Sequence, residues 1–329
     1  MSATSFAPAD VRREVGLAAA RLGAFVRETP CDASRGLDPG GGGRAFLKME
    51  NLQVTGSFKA RGAINKLLSL STSELQGGLV TASVGNHAMA MVHAMGLVGV
   101  QGEIWVSSQI SPAKLSALRE CGADLHVVEG GDPGGIESLA RRDAERTGRL
   151  FVSPYNDPQV IGGQGTVAVD LLHQVESLDV LFVPVGGGGL AAGIAGYLKD
   201  VDPRVRVVGC QPANSPIIAA SLAAGGELLE LPWQPSLSDG TVGCVEPGAI
   251  TYPILRECID EWVLVSEAEI AAALRQVMRE HCVMIEGAAA VSVAAYLQTR
   301  ERWHGKHVVC VLSGARISLE QLGAVLREG

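Results

Sequence analysis

Lys59 stands between a Gly/Ser turn and the start of a helix, in Glu50-Asn51-Leu52-Gln53-Val54-Thr55-Gly56-Ser57-Phe58-Lys59-Ala60-Arg61-Gly62-Ala63. A lysine amine held there could form a Schiff base with a carbonyl compound. Burial disfavours the ammonium form and lowers the pKa, which frees the amine as nucleophile or base near neutral pH. Taken alone, Lys59 reads first as an ordinary lysine in the first turn of an amphipathic helix; the words around it turn that reading. Two further segments supply matching chemistry. Gly78 to Ala82 reads as a short buried strand that runs into Ser83-Val84-Gly85-Asn86-His87-Ala88. The change from strand to helix exposes backbone N–H groups at a helix N-terminus, which suits a carboxylate, and Asn86 adds a side-chain donor. Val180 to Val185 is followed by Gly186-Gly187-Gly188-Gly189-Leu190 and a small-residue helix. Four glycines allow the backbone close to a phosphate, and the helix dipole contributes roughly 0.3–1 kcal/mol more. The three segments together offer an amine, a carboxylate cradle and a phosphate cradle.

The elements that must position these groups form an alternating pattern. Short Val/Ile/Leu runs at Gly102 to Val106, Leu125 to Val128, Val180 to Val185, Val205 to Cys210 and His307 to Leu312 are separated by longer Ala-rich stretches of helical pattern. Such alternation predicts parallel strands joined by helices, with both sheet faces covered. Pro39-Gly40-Gly41-Gly42-Gly43 reads as a loop between two early strands. A dinucleotide site competes for the later glycine loop, since Gly187-x-Gly189-x-x-Ala192 fits the loose fingerprint. That site also needs an acidic residue about 20 residues on, at the end of the next strand, whereas this strand ends in Gln211-Pro212.

Composition bounds the remaining classes. At 329 residues the chain is long for one core, and with 47% hydrophobic and 19% charged residues and 41 glycines it reads as a buried-sheet α/β enzyme with one large or two associated domains. A net charge of −8 opposes nucleic acid and anionic membranes. Cys31, Cys121, Cys210, Cys244, Cys258, Cys282 and Cys310 are scattered without a C-x-x-C pair, which predicts a reducing cytoplasm and no zinc site. The N-terminus lacks a signal-peptide pattern, and no apolar run is long enough for a membrane helix.

The segments in order carry a family resemblance. Glu50-Asn51-Leu52-Gln53-x-Thr55-Gly56-Ser57-Phe58-Lys59-x-Arg61-Gly62-Ala63, Ala82-Ser83-x-Gly85-Asn86-His87-Ala88, Val160-Ile161-x-Gly163-Gln164-Gly165-Thr166, Pro184-x-Gly186-Gly187-Gly188-Gly189-Leu190 and Leu312-Ser313-Gly314 span nearly the whole chain. In them it resembles the fold-type II pyridoxal phosphate enzymes, in the threonine/serine dehydratase and serine racemase group. The resemblance implies an α/β fold of the tryptophan synthase β type, with two open, twisted, mostly parallel sheets flanked by helices. It implies a large cofactor-binding domain of residues 1–49 and 150–329 with a small domain, 50–149, inserted into it. It further implies a homodimer and a dehydratase that removes water and then ammonia from a 3-hydroxy amino acid, leaving a 2-oxo acid.

Roles follow residue by residue from that resemblance. Lys59 holds the cofactor aldehyde and then removes the Cα proton. Phe58 packs on the cofactor ring, Gly186, Gly187, Gly188, Gly189 and Leu190 hold its phosphate, and Asn86 donates to its phenolic oxygen. Ser313 sits at the pyridine nitrogen. A neutral hydroxyl there makes the ring a weaker electron sink than a carboxylate would, which favours prompt loss of a β-leaving group. Ser83, grouped with Lys59 as catalytic, holds the substrate carboxylate together with Gly85, Asn86 and His87. Gly240 and Glu286 line the cofactor, and Tyr155 lines the substrate side-chain pocket.

Three departures from the family pattern carry expectations. Val84 stands where racemases have a serine, so dehydration with little racemisation is expected. Gln211 and Ile217 replace the acidic ligands of the metal-binding members, so no magnesium or calcium site is expected and activity should survive EDTA. The usual Ser-Gly-Gly-Asn becomes Ser313-Gly314-Ala315-Arg316, which places Arg316 either at the ring edge of the cofactor or on the surface. The chain ends shortly after Ser313, so no regulatory domain and no feedback inhibition by isoleucine are expected. Serine, threonine, hydroxyaspartate and β-aryl (phenylserine) substrates all stay open, with Tyr155 favouring an uncharged side chain over a carboxylate. A β-replacement synthase and a catalytically silent cofactor carrier are the other classes. The synthase would carry Gly-Asn-Thr where this chain has Gly85-Asn86-His87.

Overall fold

Each of the five apolar runs forms a strand in the computed structural model, which describes residues 6–110, 112–130, 133–243 and 245–327. Cys244 lies outside the described residues; the other six cysteines are free thiols. Among the described residues the strands are β1 (Cys31–Ala33), β2 (Ala45–Lys48), β3 (Leu79–Ala82), β4 (Gly102–Ser107), β5 (Asp124–Val128), β6 (Leu150–Phe151), β7 (Val180–Pro184), β8 (Arg206–Pro212), β9 (Glu261–Val265) and β10 (Val308–Val311). They form a six-stranded sheet of order β1-β2-β10-β7-β8-β9 and a four-stranded sheet of order β5-β4-β3-β6. Among the described strands β1 against β2 is antiparallel and the other pairs are parallel. The inner strands β3, β7 and β10 are buried at every position, as expected where helices cover both faces.

The larger sheet takes strands from both ends of the chain and the smaller takes residues 79–151. Strand β6 falls just past residue 149, the proposed end of the inserted lobe, yet pairs with β3. Pro39 to Gly43 lies between β1 and β2, with Gly40, Gly41 and Gly42 at positive φ.

Several of the glycines in the shared motifs serve close helix packing. A Cβ on Gly62 would lie 2.3 Å from Gln164 Nε2, and one on Gly163 would lie 2.5 Å from the Arg61 carbonyl. The helices Lys59–Ser69 and Pro158–Gln174 therefore meet nearly backbone to backbone. Their contact is locked by charge. Glu50, fully buried, accepts from Arg61 Nε and Nη2 at 2.8 Å each, and Arg61 Nη2 also reaches Asp170 at 2.6 Å. Lys48 Nζ joins through Asp170 at 3.2 Å and Gln174 at 2.9 Å. Charges buried this way are tolerated because each is paired and hydrogen-bonded. Glu50 and Arg61 thus hold the turn that presents Lys59. Among the described residues no helix is long and apolar enough to cross a membrane.

Candidate active site

Lys59 is the first residue of its helix, delivered by a turn in which Gly56 adopts φ +78°. The turn is pinned to the end of β10 by Phe58 N–H donating to the Ser313 carbonyl at 3.1 Å and by a bridge between Ser57 and Gly314. Lys59 and Ser313 are thereby set on adjoining backbone. The Lys59 amine donates to the Pro154 carbonyl at 2.7 Å and lies 5.1 Å from the centre of the Phe58 ring. Burial pushes its pKa down to about 8, against the opposing pull of the Glu137 and Glu286 carboxylates.

The same Pro154 loop reaches the glycines. Tyr155, 9% exposed, lies against them so closely that a Cβ on Gly187 would be 2.5 Å from its ring. Gly188 takes φ +89° as the residue before the helix Gly189–Val201, and no side chain caps that helix. Gly186 faces Gly240, whose carbonyl would lie 3.1 Å from a Cβ on it. The helix Asn86–Val98 likewise begins after Gly85 without a side-chain cap, and the Gly85 N–H meets Ser83 Oγ at 3.4 Å. Two uncapped N-termini therefore present free N–H groups within one site. His87 is buried and neutral, its pKa pushed down to about 3 by burial and then by Lys59. Its Nε2 pairs with Thr81 Oγ1 at 3.1 Å.

Asn86 Nδ2 lies 2.9 Å from both carboxylate oxygens of Glu286. Arg316 departs from the group: its side chain is exposed and donates to the Thr55 carbonyl at 3.5 Å, while its backbone N–H donates to Glu286 Oε2 at 3.0 Å. The inward placement weighed for Arg316 is thus corrected: its main chain hydrogen-bonds within the site, while its side chain lies on the surface and bears on Glu286 through its charge alone. Gln211 uses its amide oxygen on the Ala219 N–H at 2.9 Å, and Ile217 is core.

A ring of charge that sequence reasoning missed borders the site. Arg141 Nη2 binds Glu246 at 2.9 and 3.1 Å and Glu137 at 3.2 Å. Asn156 Nδ2 also donates to Glu246, at 2.6 Å, and the Glu246 N–H donates to the Tyr155 hydroxyl at 3.0 Å. Burial, followed by the Glu246 charge, pushes Glu137 up to about 7. The only local signal was the Glu137/Arg141 spacing, which reads as a surface helix pair.

Pyridoxal phosphate fits these residues. It needs a reactive amine, a bare-backbone anion cradle and polar groups around a ring. The lysine, the glycine loop that a Cβ would obstruct and the uncapped helix meet the first two needs. Ser57 Oγ and Asn86 Oδ1, both buried without a partner, mark a polar site with capacity left over.

Comparison with known proteins gives the same direction. The family described as pyridoxal-phosphate dependent enzyme matches residues 23–314. An L-threonine ammonia-lyase of Thermotoga maritima is 39% identical over 289 residues, covering 88% of this chain and 71% of the relative. The structure of the processed form of threonine deaminase isoform 2 from Solanum lycopersicum superposes with TM-score 0.90 at 29% identity, over 98% of this chain and 89% of that one. Serine racemase from Dictyostelium discoideum superposes with TM-score 0.84 at 32% identity, over 93% and 98%.

Proposed function

The chain belongs to the pyridoxal-phosphate dependent enzymes, and from that premise we propose L-threonine as its substrate, with L-serine as a slower one. The protein is a pyridoxal phosphate-dependent ammonia-lyase that dehydrates a 3-hydroxy amino acid of the threonine/serine type to a 2-oxo acid. The comparisons favour this over the β-aryl alternative. The single observation that carries the reading is the half-buried Lys59 amine, its pKa pushed down to about 8, on the Pro154–Tyr155 loop that covers the glycine cradle and close enough to His87 to act on its ring.

When bound, the cofactor supplies an electron-withdrawing ring that acidifies the substrate Cα–H bond. In the proposed division of labour, the N–H groups of Gly186 to Gly189 hold the phosphate, and Ser313 faces the ring nitrogen. Ser83 and the amides of Gly85 to His87 hold the substrate carboxylate, which fixes Cα before the lysine. Lys59 Nζ then receives the Cα proton, a role that suits an amine whose pKa is near the working pH. Phe58 and Tyr155 wall the site and limit water. The family's homodimer and a cytoplasmic location complete the proposal; the free thiols of the six described cysteines agree with a reducing compartment.

The test is ammonia and 2-oxo acid release from L-threonine and L-serine by the cofactor-loaded protein. Release from threonine exceeding that from serine is expected; no release from either overturns the proposal. The Glu137–Arg141–Glu246 ring favours one second reading. Two carboxylates share one arginine near Lys59 and Tyr155, so a 3-hydroxy amino acid with an ammonium on its side chain would complete the charge balance. A higher kcat/KM for 3-hydroxy-2,4-diaminobutanoate than for threonine would select it, and a lower one would discard it.

A further inference from the structure

Glu286 is 4% exposed, and its carboxylate takes part in no ion pair among the described residues. Its hydrogen bonds come from Asn86 Nδ2, 2.9 Å from each oxygen, and from the Arg316 N–H at 3.0 Å. The pocket is shaped around it. A Cβ on Gly314 would sit 2.5 Å from Oε1, so any side chain there would displace the carboxylate, and Gly240 closes another side. The charged groups facing it are Asp239 on the Gly240 turn, Arg316 on the segment after β10, and Lys59, whose amine feels the Glu286 charge. Burial, helped by the Asp239 charge, pushes the Glu286 carboxyl up to about 7 against the Asn86 hydrogen bonds and the Arg316 N–H and charge.

A buried carboxylate can only accept hydrogen bonds, so it dictates which way the Asn86 amide is turned. Nδ2 must face Glu286, which leaves Oδ1 buried without a partner. The resemblance puts the cofactor's ring oxygen beside Asn86, and the structure puts Lys59 within the field of the same carboxylate. Above its own midpoint near 7 the carboxyl is ionised, and a negative charge near a basic nitrogen favours that nitrogen's protonated form.

We propose that Glu286 is a positioning residue which fixes the Asn86 amide through its hydrogen bond and sets, through its charge, the proton affinity of the Lys59 nitrogen and of the cofactor beside it. This rests on the reading of the site as a pyridoxal phosphate site. Glu286→Gln keeps an acceptor for Asn86 and removes the charge, whereas Glu286→Ala removes both.

The experiment is a pH titration of the bound cofactor's absorbance in wild type and both variants. In Glu286→Gln the midpoint falls by about one unit or more, a tenfold loss of proton affinity, with cofactor content as in wild type. In Glu286→Ala the same fall comes with weakened cofactor binding. An unshifted midpoint in Glu286→Gln, with the cofactor band present, overturns the role of Glu286 while leaving the cofactor reading intact. A wild-type protein without a cofactor band overturns both. Should Glu286→Gln fail to retain the cofactor, the pH dependence of Lys59 reacting with trinitrobenzenesulfonate in the cofactor-free proteins decides. A midpoint below that of wild type supports the role, and an equal one overturns it.

Discussion

A lysine becomes reactive here because its half-buried surroundings limit water around the amine. Lys59 has one neutral acceptor, the Pro154 carbonyl, and its burial outweighs the pull of two carboxylates. For a base whose pKa is lowered, the free amine prevails above the shifted value, so cofactor uptake by the cofactor-free protein should rise with pH around a midpoint near 8. Stopped-flow absorbance would check this. A midpoint near 10.5, the ordinary lysine value, would show that desolvation has not acted. Val84, beside Ser83 and Gly85, has no exchangeable proton to offer, so chiral chromatography of an L-serine reaction should find pyruvate with D-serine at no more than trace level. The residues legible in the sequence are those whose neighbours encode the turn that presents them. Lys59, Asn86 and the glycine loop all sit where a strand or turn feeds a helix. The joining of Glu246 to the Glu137/Arg141 pair was not legible, because the fold alone brings together groups 105 residues apart in sequence.

At the scale of elements, glycines decide how close helices come. Gly163→Ala would set a methyl 2.5 Å from the Arg61 carbonyl, and the resulting overpacking should cost about 1–3 kcal/mol despite the better helix propensity of alanine. Gly96, exposed in the helix Asn86–Val98, has nothing within 4 Å of such a methyl. There the same change should stabilise by up to about 1 kcal/mol. Urea unfolding of the two variants should therefore give opposite signs, and equal signs would refute the packing argument. The inner strands were readable as continuous apolar runs. Strands β6, of two residues, and β9, an edge strand with Glu261, Trp262 and Leu264 not fully buried, lack that signal.

The whole molecule is two sheets with a site where their loops converge. That arrangement came from the family resemblance, because no composition shift marks where the smaller sheet begins or ends. The buried Glu50–Arg61–Asp170–Lys48 network ties the Lys59 turn to the helix Pro158–Gln174. Arg61→Ala would leave Glu50 buried without its cation, so thermal and urea unfolding should report a loss of about 3–5 kcal/mol; a loss under about 1 kcal/mol would show the network to be dispensable. The central claim is that Lys59 and the two backbone cradles make this chain a pyridoxal phosphate-dependent dehydratase. Its most direct test is one assay of wild type and Lys59→Ala, each reconstituted with the cofactor, for ammonia and 2-oxobutanoate from L-threonine. Stoichiometric release of both products by wild type, with loss of at least a thousandfold in Lys59→Ala, is expected. Undiminished release by Lys59→Ala, or none by a cofactor-loaded wild type, would contradict it.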